Sequence, residues 1–209
     1  MHIKLTTCRI SLLSLLLVFS ISIARARDTT FPPLSPNAVE GKLTNGLRYI
    51  LVPTTNQSHK IEMRMIMRIG SLVEDEEQRG CAHFLEHLAF EGTKHFPNRT
   101  MIQAFEAQGM KYGRDINAFT GFDRTIYSLS LPITGAQQRL EILQLALHST
   151  SDWLGAIEIS TSHVENEKGT IIEELRSYTL PDDFYTLKIG TGRYSKRMPL
   201  GSEQEIKAV

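Results

Sequence analysis

His83-Phe84-Leu85-Glu86-His87 is the stretch on which the reading of this chain turns. It sits in a segment from Gln78 to about Glu91 whose apolar residues recur at helical spacing, with Ala82, Leu85 and Ala89 on one flank and Gly92 available to end the helix. In a helix, side chains four apart leave the same face one turn from each other, so His83 and His87 form a ready pair of metal ligands. Glu86 lies beside them, placed to take a proton from a metal-bound water without binding the metal itself. With 7 histidines in 209 residues, such a pattern arises by chance with a probability on the order of 1–2%. A second, independent feature is therefore needed.

That feature lies downstream, in a helical segment from Ser162 to Tyr178 that carries Glu165, Glu167, Glu173 and Glu174. Alone, an acidic helix of this kind reads as a solvated face. Glu167 and Glu174, however, are seven positions apart, which returns to within about 20° of one helix face. One of them can ligate while the other supports, and a catalytic zinc wants three protein ligands with one position left for water. The H-x-x-E-H order is the motif of the inverted zinc peptidases.

Around these two helices the pattern is mixed. Asn45-Gly46 separates two short β-prone runs within residues 41–52, a hairpin signal because both residues tolerate positive φ. Ile61, Met63, Met65, Met67 and Ile69 alternate with Glu62, Arg64 and Arg68, which predicts a strand with one buried face. A short helix is expected over Thr100 to Ala107, stopped by Gly109. Two strands follow, Tyr112 to Thr120 and Thr125 to Leu131, joined tightly at Gly121-Phe122-Asp123 and ended by Pro132, and then an amphipathic helix over Ala136 to Leu147. The order predicts an α+β domain with a mainly antiparallel sheet and helices packed on it.

The N-terminus is set apart. Lys4 and Arg9 precede an apolar run from Ile10 to Ile23, and Ala24-Arg25-Ala26 offers the small residues that a signal peptidase reads. About 14 apolar residues fall short of the roughly 20 that span a bilayer as a helix, so residues 1–26 are expected to be a cleavable export signal and the mature chain periplasmic or secreted. Residues 27–40, with Pro32, Pro33 and Pro36, read as an extended lead-in, and residues 41–209 as the domain. Cys81 is then the only cysteine of the domain, which excludes an internal disulfide, and it is expected as a buried small residue rather than a ligand. Lys+Arg and Asp+Glu number 23 each and 41% of residues are hydrophobic, so neither disorder nor nucleic-acid binding is indicated. No stable membrane span is expected after signal removal. Arg193, Lys196 and Arg197 read as a solvated basic loop.

From about Gly41 to Glu205 the chain resembles the pitrilysin/insulysin family of zinc metallopeptidases, which includes the processing peptidases, and looks most like its exported bacterial members. Residues 80–93, Gly-Cys-Ala-His-Phe-Leu-Glu-His-Leu-Ala-Phe-Glu-Gly-Thr, resemble the family's metal helix. Residues 115–120 with Thr125-Ile126-Tyr127 resemble the strand pair that follows it, and residues 167–174 the segment with the distal glutamate. The resemblance implies one zinc held by His83, His87 and Glu174, with Glu173 as the alternative ligand, Glu167 as supporting carboxylate and Glu86 as general base. It also implies that Asn117 and Ala118 lie on an edge strand to which an extended peptide substrate adds by backbone hydrogen bonds. The distance from His87 to Glu174 is a few residues longer than is usual, which places an insertion around Trp153 to Ser160.

Complete peptidases of that family close a C-terminal half over the zinc, so the chain is expected to be an incomplete, truncated N-terminal domain whose partner is a second peptidase half or a partner chain. Two functions fit: a zinc metalloendopeptidase module acting on peptides or unfolded segments, or a non-catalytic, vestigial fragment that keeps the metal helix.

Overall fold

A computed structural model describes residues 35–55, 59–178 and 198–209. The expected export signal and the basic loop at 193–197 lie outside the described residues. The chain divides into two compact units between Asn56 and Gln57.

In the first unit, the described part of the expected extended lead-in turns at Pro36-Asn37, closed by a bond from the Ala38 N–H to the Ser35 carbonyl (2.8 Å). Strand β1 (Val39–Lys42) then pairs antiparallel with β2 (Arg48–Leu51), with Val39 opposite Leu51 and Lys42 opposite Arg48. The connection is longer than a two-residue Asn-Gly turn. Only Gly46 takes a positive φ (93°), while the Asn45 side chain accepts from the Leu47 N–H at 3.1 Å. Asparagine thus acts through its amide oxygen rather than through left-handed backbone.

The second unit contains a three-stranded antiparallel sheet in the order β3 (Lys60–Met67), β5 (Thr125–Pro132), β4 (Ile116–Thr120). Alternation does its expected work: Met65, Tyr127, Leu129, Leu131 and Ile116 are buried on one face, while Glu62, Arg64, Ile66 and Phe119 stay exposed on the other. The expected strand from Tyr112 begins only at Ile116, because residues 111–115 curl into turns that bond back to Lys111, leaving Tyr112 with a single bridge to Ile116.

Four helices of two or more turns accompany the sheet: α1 (Cys81–Glu91), α2 (Thr100–Ala107), α3 (Ala136–Gly155) and α4 (Thr161–Ser177). A short α5 (Glu203–Ala208) completes the described residues. The first three cover the inner face of the sheet through Ala89 and Phe90, Met101 and Phe105, and Ile142 and Trp153. A second cluster joins Phe84 and Leu88 of α1 to Ile171 and Ile172 of α4 and Ile206 of α5. This α+β architecture, a mainly antiparallel sheet with helices on it, is the expected class. No helix among the described residues is long and apolar enough to cross a membrane.

Three features differ from expectation. Glu76–Gln78 forms a separate 3-10 turn, and α1 starts after Gly80, whose φ of 83° breaks the helical path. Leu85, expected on the packed flank, is exposed, because α1 is gripped on its other sides by the sheet and by α4. The third helix runs on from Leu147 to Gly155, since Asp152 and Trp153 find buried partners there; Trp153 stacks on Tyr127 (4.7 Å) and donates to the Ala89 carbonyl at 3.0 Å. Trp153 therefore belongs to the core.

Candidate metal centre

Helix α1 carries most of the site, and its polar residues are unusually deep. His83, Glu86 and Glu91 are all buried although each belongs to a type normally found at the surface. The helix is anchored for this purpose at its start, where the buried Glu74 carboxylate accepts from the N–H groups of Gly80 (3.0 Å) and Ala82 (2.8 Å). A carboxylate there satisfies open amides and complements the helix dipole, replacing the cap that Gly80 lacks.

The two imidazoles stand 4.7 Å apart, nearly perpendicular. Helix α4 lays Glu174 against both, with one oxygen 3.6 Å from His83 Nε2 and 3.1 Å from His87 Nε2. One turn pair earlier, Glu167 meets the opposite ring nitrogen of His87, Nδ1, at 3.0 Å. Glu173 faces elsewhere, exposed and bonded to Arg176 at 2.6 Å. Ligand atoms of His83, His87 and Glu174 all lie within 4.8 Å of one another.

This set fits a zinc ion. Ligand atoms on a tetrahedron with bonds of about 2.1 Å stand about 3.4 Å apart, a value bracketed by the 3.1 and 3.6 Å separations seen here. The charges agree as well: Glu86, Glu167 and Glu174 surround two imidazoles. A cation is the complement that such a cluster lacks.

Electrostatics separate the groups. The His83 and His87 rings facing it hold the Glu174 carboxyl well below the usual range. Burial disfavours charge on His87, but the Glu167 and Glu174 carboxylates outweigh it and raise its pKa to about 9. Glu86 moves the other way: burial pushes its carboxyl up, opposed by a short bond from the Thr120 hydroxyl (2.5 Å). A carboxyl raised in this way is better suited to accept a proton near neutral pH.

A cleft of about 540 Å³ opens onto these residues, lined also by Tyr112, Phe119, Phe122 and Tyr178 and by residues 198–200. Asn117 and Ala118 lie on its wall. Their strand, β4, is an edge of the sheet. The bonds Ser130 N–H to Asp115 carbonyl and Gly121 N–H to Arg124 carbonyl show that odd-numbered residues of β4 face β5, so the peptide groups of Ala118 and Thr120 point to the open edge. The Ala118 N–H is met there by the Asn117 side chain at 2.9 Å. Cys81 is only half-buried and takes no part in the cluster. Thr120 was not singled out in the sequence, although its inward parity with Ala118 on β4 was a usable signal.

Comparisons with known proteins identify the family. A family profile described as Insulinase (Peptidase family M16) matches residues 49–183. The chain belongs to that family. Among its M16 relatives is the "Probable zinc protease PqqL" of Haemophilus influenzae, 35% identical over 93% of this chain and 21% of that protein. Of the solved structures, the first half of the periplasmic protease PqqL from Escherichia coli matches with a TM-score of 0.74 at 31% identity, over 84% of this chain and 38% of that one. The complete Escherichia coli PqqL matches with a TM-score of 0.75, over 85% of this chain but 20% of that protein. The chain thus spans about a fifth of the length of these full M16 relatives.

Proposed function

We propose that this M16 chain is the zinc-holding module of an exported metalloendopeptidase, with one zinc held by His83, His87 and Glu174. The observation that carries the reading is the meeting of Glu174 with Nε2 of both histidines, at 3.1 and 3.6 Å, in a cleft beside an open sheet edge. Bound zinc would supply Lewis acidity toward a carbonyl oxygen and make a water more acidic.

The protein's own residues do the rest. Glu86 is the general base: it takes the proton of the attacking water and returns it to the departing amine. Thr120 holds one Glu86 oxygen in place. Glu167 fixes the orientation of His87 through Nδ1. The open edge of β4 receives an extended peptide, whose backbone pairs with the peptide groups of Ala118 and Thr120 after displacing the Asn117 side chain. Pairing through the backbone admits many sequences, as suits peptides or unfolded segments.

Export rests on residues 1–26 and on the description of the Escherichia coli relative as periplasmic. The length ratio supports a second half that closes the cleft. A retained metal helix without turnover is the competing reading. Glu86→Gln separates the two: turnover of a quenched peptide should fall at least about 100-fold while bound zinc, measured by metal analysis, stays stoichiometric. Equal turnover in the variant overturns the role of Glu86, and a wild-type chain that binds no zinc overturns the site.

A further inference from the structure

One buried cluster touches the candidate centre without being used by it. Glu91, at the end of α1, is buried, as is Glu167, and one nitrogen of Arg99 lies near both carboxyls. Two neighbouring carboxyls away from water need a positive charge nearby. Arg99 provides it: Nη1 forms a close ion pair with Glu91 Oε1 and lies 4.0 Å from Glu167 Oε1. The backbone tightens the same link, because the Arg99 N–H donates to the Glu91 carbonyl at 2.8 Å.

The residue reaches this place through an uncommon backbone. Asn98 and Arg99 both take left-handed φ values, 51° and 62°, immediately before α2. Neither is glycine, and such conformations persist where the surroundings over-determine them. Here the determinants are the two bonds to Glu91.

Building on the zinc reading above, we propose that Arg99 is a positioning residue for the metal centre. Its guanidinium bridges Glu91 and Glu167 and keeps Glu167 aimed at His87 Nδ1, which in turn holds Nε2 toward Glu174. The chain of contacts runs from a half-exposed arginine to a proposed ligand through two buried carboxyls. Outer partners of a ligating histidine set its tautomer and ring orientation, and their loss weakens metal binding about 10–100-fold.

The test is zinc affinity of the whole chain, by competition with a chromophoric chelator, together with the visible spectrum of the cobalt-substituted protein. Arg99→Gln should weaken zinc about 10-fold or more and alter the cobalt bands, and Arg99→Lys should restore part of both. The double variant Glu91→Gln/Arg99→Gln tests whether the arginine acts through Glu91. With one carboxyl gone the arginine matters less, so its loss should cost less in the Glu91→Gln background than in the wild type.

Wild-type zinc binding with unchanged affinity and cobalt spectrum in Arg99→Gln overturns the inference while leaving the metal site standing. Equal losses in both backgrounds also overturn it. Absence of zinc from the wild type itself overturns the metal reading first. If Arg99→Gln does not fold, the comparison of Arg99→Lys with wild type carries the test, with unchanged cobalt bands and affinity counting against the proposal.

Discussion

Two histidine–carboxylate pairs arise within eight positions of each other, at His87 and His95, and they are built to opposite ends. His87 is largely covered, with Glu167 on Nδ1 and Glu174 on Nε2, so both ring nitrogens face acids. His95 leans out, its side chain 60% exposed, and touches a single acid, Asp152, at 2.7 Å. That aspartate is already saturated: one oxygen takes the Thr93 hydroxyl (2.6 Å) and the His95 N–H (3.0 Å), the other the ring. A carboxylate whose lone pairs are used up by fixed donors ties loops together. One shared by two imidazoles, with acids in excess, is left wanting a cation. The first arrangement fastens the end of α1 to α3, and the second builds the candidate centre between α1 and α4.

The sharpest way to break this comparison is to remove His87. His87→Ala deletes one of three proposed ligands, and zinc affinity should fall by more than the roughly 10–100-fold of an outer partner, on the order of 1,000-fold. Chelator competition measures it. A loss no larger than that of Arg99→Gln would mean that His87 supports the site rather than forming it.

Asp152→Ala should reverse the pattern. Asp152 and Thr93 are both buried, so the substitution strands the hydroxyl and an amide without an acceptor. The expected cost is about 3 kcal/mol of folding stability, read from urea unfolding, with zinc affinity unchanged in the folded fraction. A large loss of zinc affinity would show that the two pairs are not independent.

Acidity provides a third contrast, with opposite signs. In the metal-free protein the pKa of His87 is raised from 6.5 to about 9. That pair therefore stabilises the fold fully below pH 6.5 and loses its contribution as the pH rises through about 9. Zinc must displace the same proton, so apparent zinc affinity should climb about tenfold per pH unit between roughly 6.5 and 8.5. Asp152 behaves otherwise. Burial alone would raise its carboxyl, but the bonds from Thr93 and His95 win and lower it from 3.8. Its contribution is present above pH 3.8 and is lost as acid protonates it below that point. Melting curves of the metal-free chain across pH, with zinc titrations at three values, check both limbs; a pH-independent zinc affinity would contradict the proton competition at His87.

The ease of reading these regions from sequence followed their locality. His83, Glu86 and His87 declare themselves because one helix turn relates them, and Glu167 and Glu174 because two turns do. The strands β3 and β5 were equally plain, since burial on one face leaves strict alternation. What escaped depends on contacts between distant elements. Thr120 meets Glu86 across 34 positions, and Asp152 meets His95 across 57, and neither spacing has a period. The left-handed pair Asn98-Arg99 has no glycine to announce it. Helix α3 extends past Leu147 because Trp153 reaches the Ala89 carbonyl, a tertiary bond that outweighs the weak local pattern of Ser149-Thr150-Ser151. Leu85 looked like a core residue because apolar spacing alone does not say which of several flanks is gripped.

The smallest effect is expected at His95 itself. Its ring is mostly in water, and after His95→Ala the Asp152 carboxylate still receives the backbone N–H of position 95 and the Thr93 hydroxyl. Only one of three bonds is lost, and its donor was exposed, so stability should fall by less than about 1 kcal/mol. Zinc affinity should not move. The two alanine substitutions thus remove the same imidazole from two carboxylate pairs and should differ in zinc affinity by about three orders of magnitude. The contrast comes from where the second ring nitrogen points: toward another acid at His87, toward solvent at His95. Similar zinc losses in the two variants would show that burial between two acids is not what makes an imidazole a ligand here.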